Sequence, residues 1–121
     1  MKSFQKKVAV VTGAGSGIGR ALSLQLAKEG ATLALTDINT EGLKETVGIC
    51  ESFGTKVFSK VSNVAKIDEV KSFVSDVLAE LGQVDLIFNN AGIALGKKTL
   101  LESSYEEWER IMGVNLWGVI Y

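Results

Sequence analysis

The chain has 121 residues, which suits one domain at most. A hydrophobic share of 46% and a charged share of 22% are ordinary for an ordered globular chain and argue against intrinsic disorder. The formal net charge is −1, there is no basic stripe, and no apolar run approaches bilayer length, so neither nucleic acid nor a membrane is an expected partner. Lys6 and Lys7 read as a solvated strand entrance, and a cytoplasmic location follows by default. The single cysteine, Cys50, permits no internal disulfide. It stands among Val47, Ile49 and Phe53, the setting of a small buried hydrophobe. With no histidine and one cysteine, no metal site and no Ser-His-Asp triad are expected.

Val8-Ala9-Val10-Val11 is a β-rich run that predicts a strand buried on both faces. A glycine-rich turn follows, then a helix over residues 17–29 with Ile18, Ala21, Leu22, Gln25 and Leu26 on one face and Gly30 as its stop. Residues 32–36 read as a second strand. Residues 40–53 read as a helix, weakened by Gly42 and Gly48 and ended by Gly54. A third strand is predicted over residues 56–61. The cleanest helix spans residues 67–81, where Val70, Phe73, Val74, Val77, Leu78 and Leu81 recur at helical spacing before Gly82. A fourth strand is predicted over residues 84–88. The last helix is predicted over residues 104–121, with Trp108, Ile111, Met112, Leu116 and Val119 along one side. Strand and helix alternate about four times, which predicts parallel strands joined by right-handed crossovers.

The segment Thr12-Gly13-Ala14-Gly15-Ser16-Gly17-Ile18-Gly19 lies directly after a strand and before a helix. In that place one glycine permits a turn that a β-carbon would block, one lets the main chain approach a pyrophosphate, and one allows close helix packing. The helix start then presents free N–H groups and partial positive charge to phosphates. A glycine-rich turn without a ligand is the alternative. A P-loop is excluded because no Gly-Lys-Ser/Thr follows. Asp37 closes the second strand, about twenty residues on, where a carboxylate can accept from a ribose diol. Its charge would repel a phosphate on that ribose, and Ile38 beside it offers no cation, so NAD is expected over NADP. The alternative for Asp37 is a turn or capping aspartate.

The glycine segment together with Asn89-Asn90-Ala91-Gly92 resembles the short-chain dehydrogenase/reductase family over residues 7–121. The resemblance implies a Rossmann-type α/β fold, a doubly wound parallel sheet, here truncated after about four βα units. Residues 1–121 are then an NAD-binding domain that ends within a helix, a fragment of a chain about twice as long. It implies that Gly13, Ser16, Gly17 and Ile18 line the pyrophosphate, with Gly19 also among the cofactor-binding residues. Asp37 would hold the adenosine ribose, with Ile38 against the adenine. Asn63-Val64 stands where the family usually has Asp-Val beside the adenine, and an Asn oxygen can still accept there. Asn90, Ala91 and Gly92 would border the ribose, while Asn89 ties neighbouring strands. Asn115, in Val114-Asn115-Leu116, matches the family's catalytic asparagine, which holds a proton-relaying water. It is expected on an apolar helix face, as a buried amide that must find partners; a satisfied core amide is the alternative.

The rest of the family's catalytic set is a Ser, and a Tyr followed four residues later by Lys. Tyr105 is followed by Glu109 and Tyr121 is the last residue, so no such pair exists here. The expected activity is hydride transfer between NAD and a secondary alcohol or ketone in the full-length protein. The fragment itself is expected to bind NAD weakly without turnover. A homo-oligomer is expected at full length. The competing reading is a non-catalytic dinucleotide-binding or interaction module, and the Asn-Asn-Ala-Gly segment argues against a methyltransferase.

Overall fold

The computed structural model describes residues 3–121. Four strands, β1 (Val8–Thr12), β2 (Thr32–Asp37), β3 (Val57–Val61) and β4 (Leu86–Phe88), form one sheet in the order β3-β2-β1-β4. Every neighbouring pair is parallel, with Val8 opposite Thr32, Leu33 opposite Val57 and Ala9 opposite Leu86. Helices α1 (Gly17–Lys28), α2 (Thr40–Glu51) and α3 (Ile67–Leu81) connect the strands.

The alternation of side chains along the central strands assigns the helices to faces. Ala9, Val11, Leu33 and Leu35 pack with Leu26 and Ala27 of α1 and with Leu43 and Cys50 of α2. Val10 and Ala34 point the other way, onto Phe73 and Val77 of α3. With both faces covered, β1 is buried at all five positions. The result is the doubly wound, Rossmann-type sheet that the family resemblance implies, with the parallel strands that the strand–helix alternation predicts. Cys50 is fully buried, as its apolar neighbours foretell.

The caps set the element ends. The Asn39 side chain accepts from the Gly42 N–H at the start of α2. Gly82 closes α3 in the left-handed conformation, at φ +78. Several boundaries differ from the sequence expectation, among them the end of α1 at Lys28 and of β2 at Asp37. Helix α2 stops at Glu51, because Ser52 and Phe53 turn back on the carbonyls of Gly48, Ile49 and Cys50. The third strand starts at Val57. The fourth is only three residues long, since Asp85 meets Val8 with its side chain as well as its N–H before the ladder begins. The last predicted helix is α4 (Tyr105–Met112), a π-helical segment Gly113–Trp117 and a final α-turn Gly118–Ile120. An apolar period over five residues does not separate α from π winding. No helix among the described residues is long and apolar enough to cross a membrane.

Candidate functional site

All four strands end on the same side of the sheet, at Thr12, Asp37, Val61 and Phe88. From β1 the chain moves outward through β2 and β3, then returns to the opposite flank of β1 as β4. The turns after β1 and β4 therefore diverge, and a crevice opens between them at the carboxyl ends. A cleft of roughly 540 Å³ lies there. Gly13, Ser16, Gly17, Ile18, Asp37, Ile38, Asn63, Val64, Asn90, Ala91 and Gly92 all line it.

The glycine turn is shaped by what it touches. Gly13 has φ +67, and a β-carbon on it would stand 2.9 Å from the Ala91 Cα. The Asn90 Nδ2 donates to the carbonyls of Thr12 at 3.1 Å and Gly13 at 3.3 Å. The Asn90 and Ala91 N–H groups donate to the Thr12 Oγ1 at 3.1 and 3.0 Å. These bonds bind the exits of β1 and β4 together. The role expected of Asn89 thus falls to Asn90 and Thr12. Gly19 does not line the cleft. It is buried beneath the turn, where a β-carbon would come within 2.1 Å of the Gly13 carbonyl oxygen, so its place requires close packing rather than ligand contact. Ser16 caps α1 with extended backbone and no side-chain bond, and the first turn carries no acid. The amino end of the helix thus faces the cleft without a side-chain partner, an arrangement that can hold an anion.

At the other end, Asp37 leaves β2 with its carboxylate held by two backbone donors. Oδ2 accepts from the Gly15 N–H at 2.8 Å, and Oδ1 accepts from the Asn39 N–H at 2.8 Å. Each oxygen keeps a lone pair for a hydroxyl donor. Ile18 and Ile38 are 79% and 68% exposed, so this part of the cleft offers apolar surface beside the carboxylate. The Asn63 side-chain oxygen accepts from the Ala65 N–H at 2.9 Å, which turns the chain after β3 and leaves one lone pair on that oxygen. Beside it, the Ser62 hydroxyl is buried and has no hydrogen-bond partner.

Asn115 sits in the π-helical segment and is exposed, not buried, because the described residues leave that side of the helix open. Its amide nevertheless makes a donor and an acceptor bond to one residue. Oδ1 accepts from the Ile93 N–H and Nδ2 donates to the Ile93 carbonyl, both at 2.8 Å. The loop leaving Gly92 is thereby clamped to the helix. Asn115 does not line the cleft; Ile93 and Val114 do. Ser62, Ala65, Ile93, Arg110 and Val114 also line the cleft, and the sequence motifs give none of them a cofactor role. Arg110 and Val114 are four apart on a helical run, a spacing that could have placed them on one face. Nothing local marks Ser62.

A family model described as short chain dehydrogenase matches residues 7–121. A Mycobacterium tuberculosis protein named as an oxidoreductase, SadH, is 45% identical over 120 residues, 99% of this chain and 43% of its own. The cyclohexanol dehydrogenase of an Acinetobacter species is 38% identical over 118 residues, 98% of this chain and 47% of that protein. The crystal structure of a Burkholderia phymatum short-chain dehydrogenase/reductase in complex with NAD superposes with a TM-score of 0.94 at 39% identity, covering 99% of this chain and 42% of that one. The chain therefore spans somewhat less than half the length of these relatives. With the parallel sheet, the glycine turn and the Asn-Asn-Ala-Gly strand exit in place, the chain belongs to the short-chain dehydrogenase family of oxidoreductases.

Proposed function

We propose that residues 1–121 form the NAD-binding part of an enzyme that moves hydride between NAD and a secondary alcohol or its ketone. The observation that carries this reading is the cleft, which joins an uncapped helix amino end to the Asp37 carboxylate across the carboxyl edge of the sheet. NAD supplies the hydride chemistry; the protein binds, orients and excludes water. The N–H groups at the start of α1 would hold the pyrophosphate, with Gly13, Ser16, Gly17 and Ile18 around it. Asp37 would accept from the adenosine ribose hydroxyls and repel a phosphate on them, which favours NAD over NADP. Ile38, Asn63 and Val64 would border the adenine. Asn90, Ala91 and Gly92 would border the second ribose, with Asn115 acting through its clamp on Ile93. The proton exchange of the alcohol is assigned to none of residues 1–120, among which no Tyr has a Lys four residues on. Self-association belongs to the same proposal, since Met112, Leu116, Trp117, Val119 and Ile120 are exposed along the last helix.

The test is a titration of NADH against the 121-residue chain, followed by nicotinamide fluorescence. NADH should bind more tightly than NADPH. Gly13→Val should weaken NADH by tenfold or more, because the new side chain strikes Ala91 and fills the turn. Equal affinities in wild type and variant would defeat the reading. So would turnover of alcohols by the 121-residue chain alone, as far as the missing proton donor is concerned.

A further inference from the structure

Beneath the glycine turn, on the side away from the cleft lining, the Arg20 guanidinium joins three elements. Nε donates to the Thr46 Oγ1 at 2.9 Å, and an Nη donates to the Gly15 carbonyl at 2.7 Å and the Gly42 carbonyl at 3.2 Å. The same nitrogen meets the Glu45 carboxylate at 3.3 Å. Thr46 is fully buried and passes its own hydroxyl hydrogen to the Gly42 carbonyl at 3.1 Å. Around this fork the backbones of the turn and of α2 nearly touch, since a β-carbon on Gly42 would lie 2.6 Å from the Gly15 oxygen.

Gly15 is gripped at both ends. Arg20 holds its carbonyl, and the Asp37 carboxylate takes its N–H at 2.8 Å. No β-carbon fits between them, since one on Gly15 would stand 2.8 Å from the Asp37 Cγ. A shift of Gly15 moves the N–H from which the carboxylate accepts. Without Arg20, two carbonyl oxygens that face each other lose the donor between them, and Gly15 is free to shift.

We propose that Arg20 is a positioning residue of the cofactor site: by fixing Gly15 it sets where the Asp37 carboxylate stands, and so enforces the choice of an adenosine ribose without a phosphate. This rests on Asp37 holding that ribose, as proposed above. Arg20 touches no part of the cofactor in this assignment. A lysine could reach one carbonyl but could not span Thr46, Gly15 and Gly42 as the planar fork does.

The experiment measures dissociation constants of NADH, NADPH and the half-cofactor NMNH, which lacks the adenosine, for wild type, Arg20→Met, Arg20→Lys and Glu45→Gln. For Arg20→Met the expected result is about tenfold weaker NADH, the loss of one charge-assisted hydrogen bond's worth of order. The NADH-over-NADPH preference should shrink, and NMNH should be unchanged. Arg20→Lys should fall between wild type and Arg20→Met, and it retains the charge should the methionine variant fold poorly. Glu45→Gln should bind like wild type, because that carboxylate is an exposed partner of the fork. An unchanged NADH/NADPH ratio in both Arg20 variants would overturn the assignment. A selective loss of NADPH would also overturn it, by making Arg20 a phosphate ligand instead. Failure of wild type to bind NADH would overturn the reading of the cleft itself, and the role of Arg20 with it.

Discussion

Cys50 shows how burial decides the chemistry of one residue. Burial first, and the neighbouring Glu51 charge second, push its thiol up to about 11. The thiolate is the reactive form, so the native chain should resist iodoacetamide at pH 8 and react once unfolded in urea, as read by mass spectrometry. The folded state holds the proton more tightly than the unfolded state. Its stabilising effect is thus complete below the unfolded value of about 8.5 and is lost as pH rises towards 11. Cys50→Ala should remove that alkaline loss. Asn115 makes a second residue-scale case. Asn115→Leu deletes both bonds to Ile93, so the Ile93 amide should exchange hydrogen faster than in wild type. The residue types at both positions were legible; the one-residue target of Asn115, 22 positions away, was not.

The helix ends carry measurable stability of their own. Helix α4 starts with a reciprocal capping box, in which the Ser104 hydroxyl accepts from the Glu107 N–H and the Glu107 carboxylate accepts from the Ser104 N–H. Ser104→Ala should cost about 1 kcal/mol in urea unfolding. A β-carbon on Gly82 would meet nothing within 4 Å, so Gly82→Ala should cost only the left-handed backbone penalty, about 1 kcal/mol. Helix α3 was the clearest in the sequence because its apolar stripe and glycine stop agree. The shortening of β4 and the π winding around Asn115 were not legible. The first depends on a contact with a distant segment, Val8, and the second lies where a β-carbon on Gly118 would have no room beside Val64 and one on Gly113 would touch Ala65.

At the scale of the whole molecule, Asp85 links the two halves of the sheet. Its carboxylate accepts from the Val8 N–H at 2.8 Å and from Gln83 at 2.7 Å, with Lys7 at 4.0 Å. The Val8 N–H is the foremost reason that its carboxyl sits below the usual range, with Gln83 and Lys7 adding to it. The folded state therefore favours the ionised form. That contribution is present above the unfolded value of about 3.9 and is lost as pH falls through the lower folded value. Asp85→Asn should melt at a lower temperature than wild type at pH 7, and the gap should close under acid. Saturating NADH should raise the melting temperature of wild type, as any ligand of the folded state does, and should do so less for Gly13→Val.

By itself the sequence determined the order of strands and helices and the glycine and asparagine segments that belong at the strand exits, but not the core face of α1, which is Gly19, Ser23, Leu26 and Ala27 while Ile18, Ala21 and Gln25 of the expected face are exposed. These follow from local chemistry: side-chain period, β-carbon sterics and the helix amino end. Only the tertiary structure decided that Asn90 with Thr12 joins the exits of β1 and β4, that Asn115 clamps Ile93, and that Arg20 and Asp37 hold opposite ends of Gly15. Each of those pairings joins atoms brought within hydrogen-bond reach by crossovers of the whole sheet or by turns outside regular structure, and no pattern of neighbouring residues encodes such a distance.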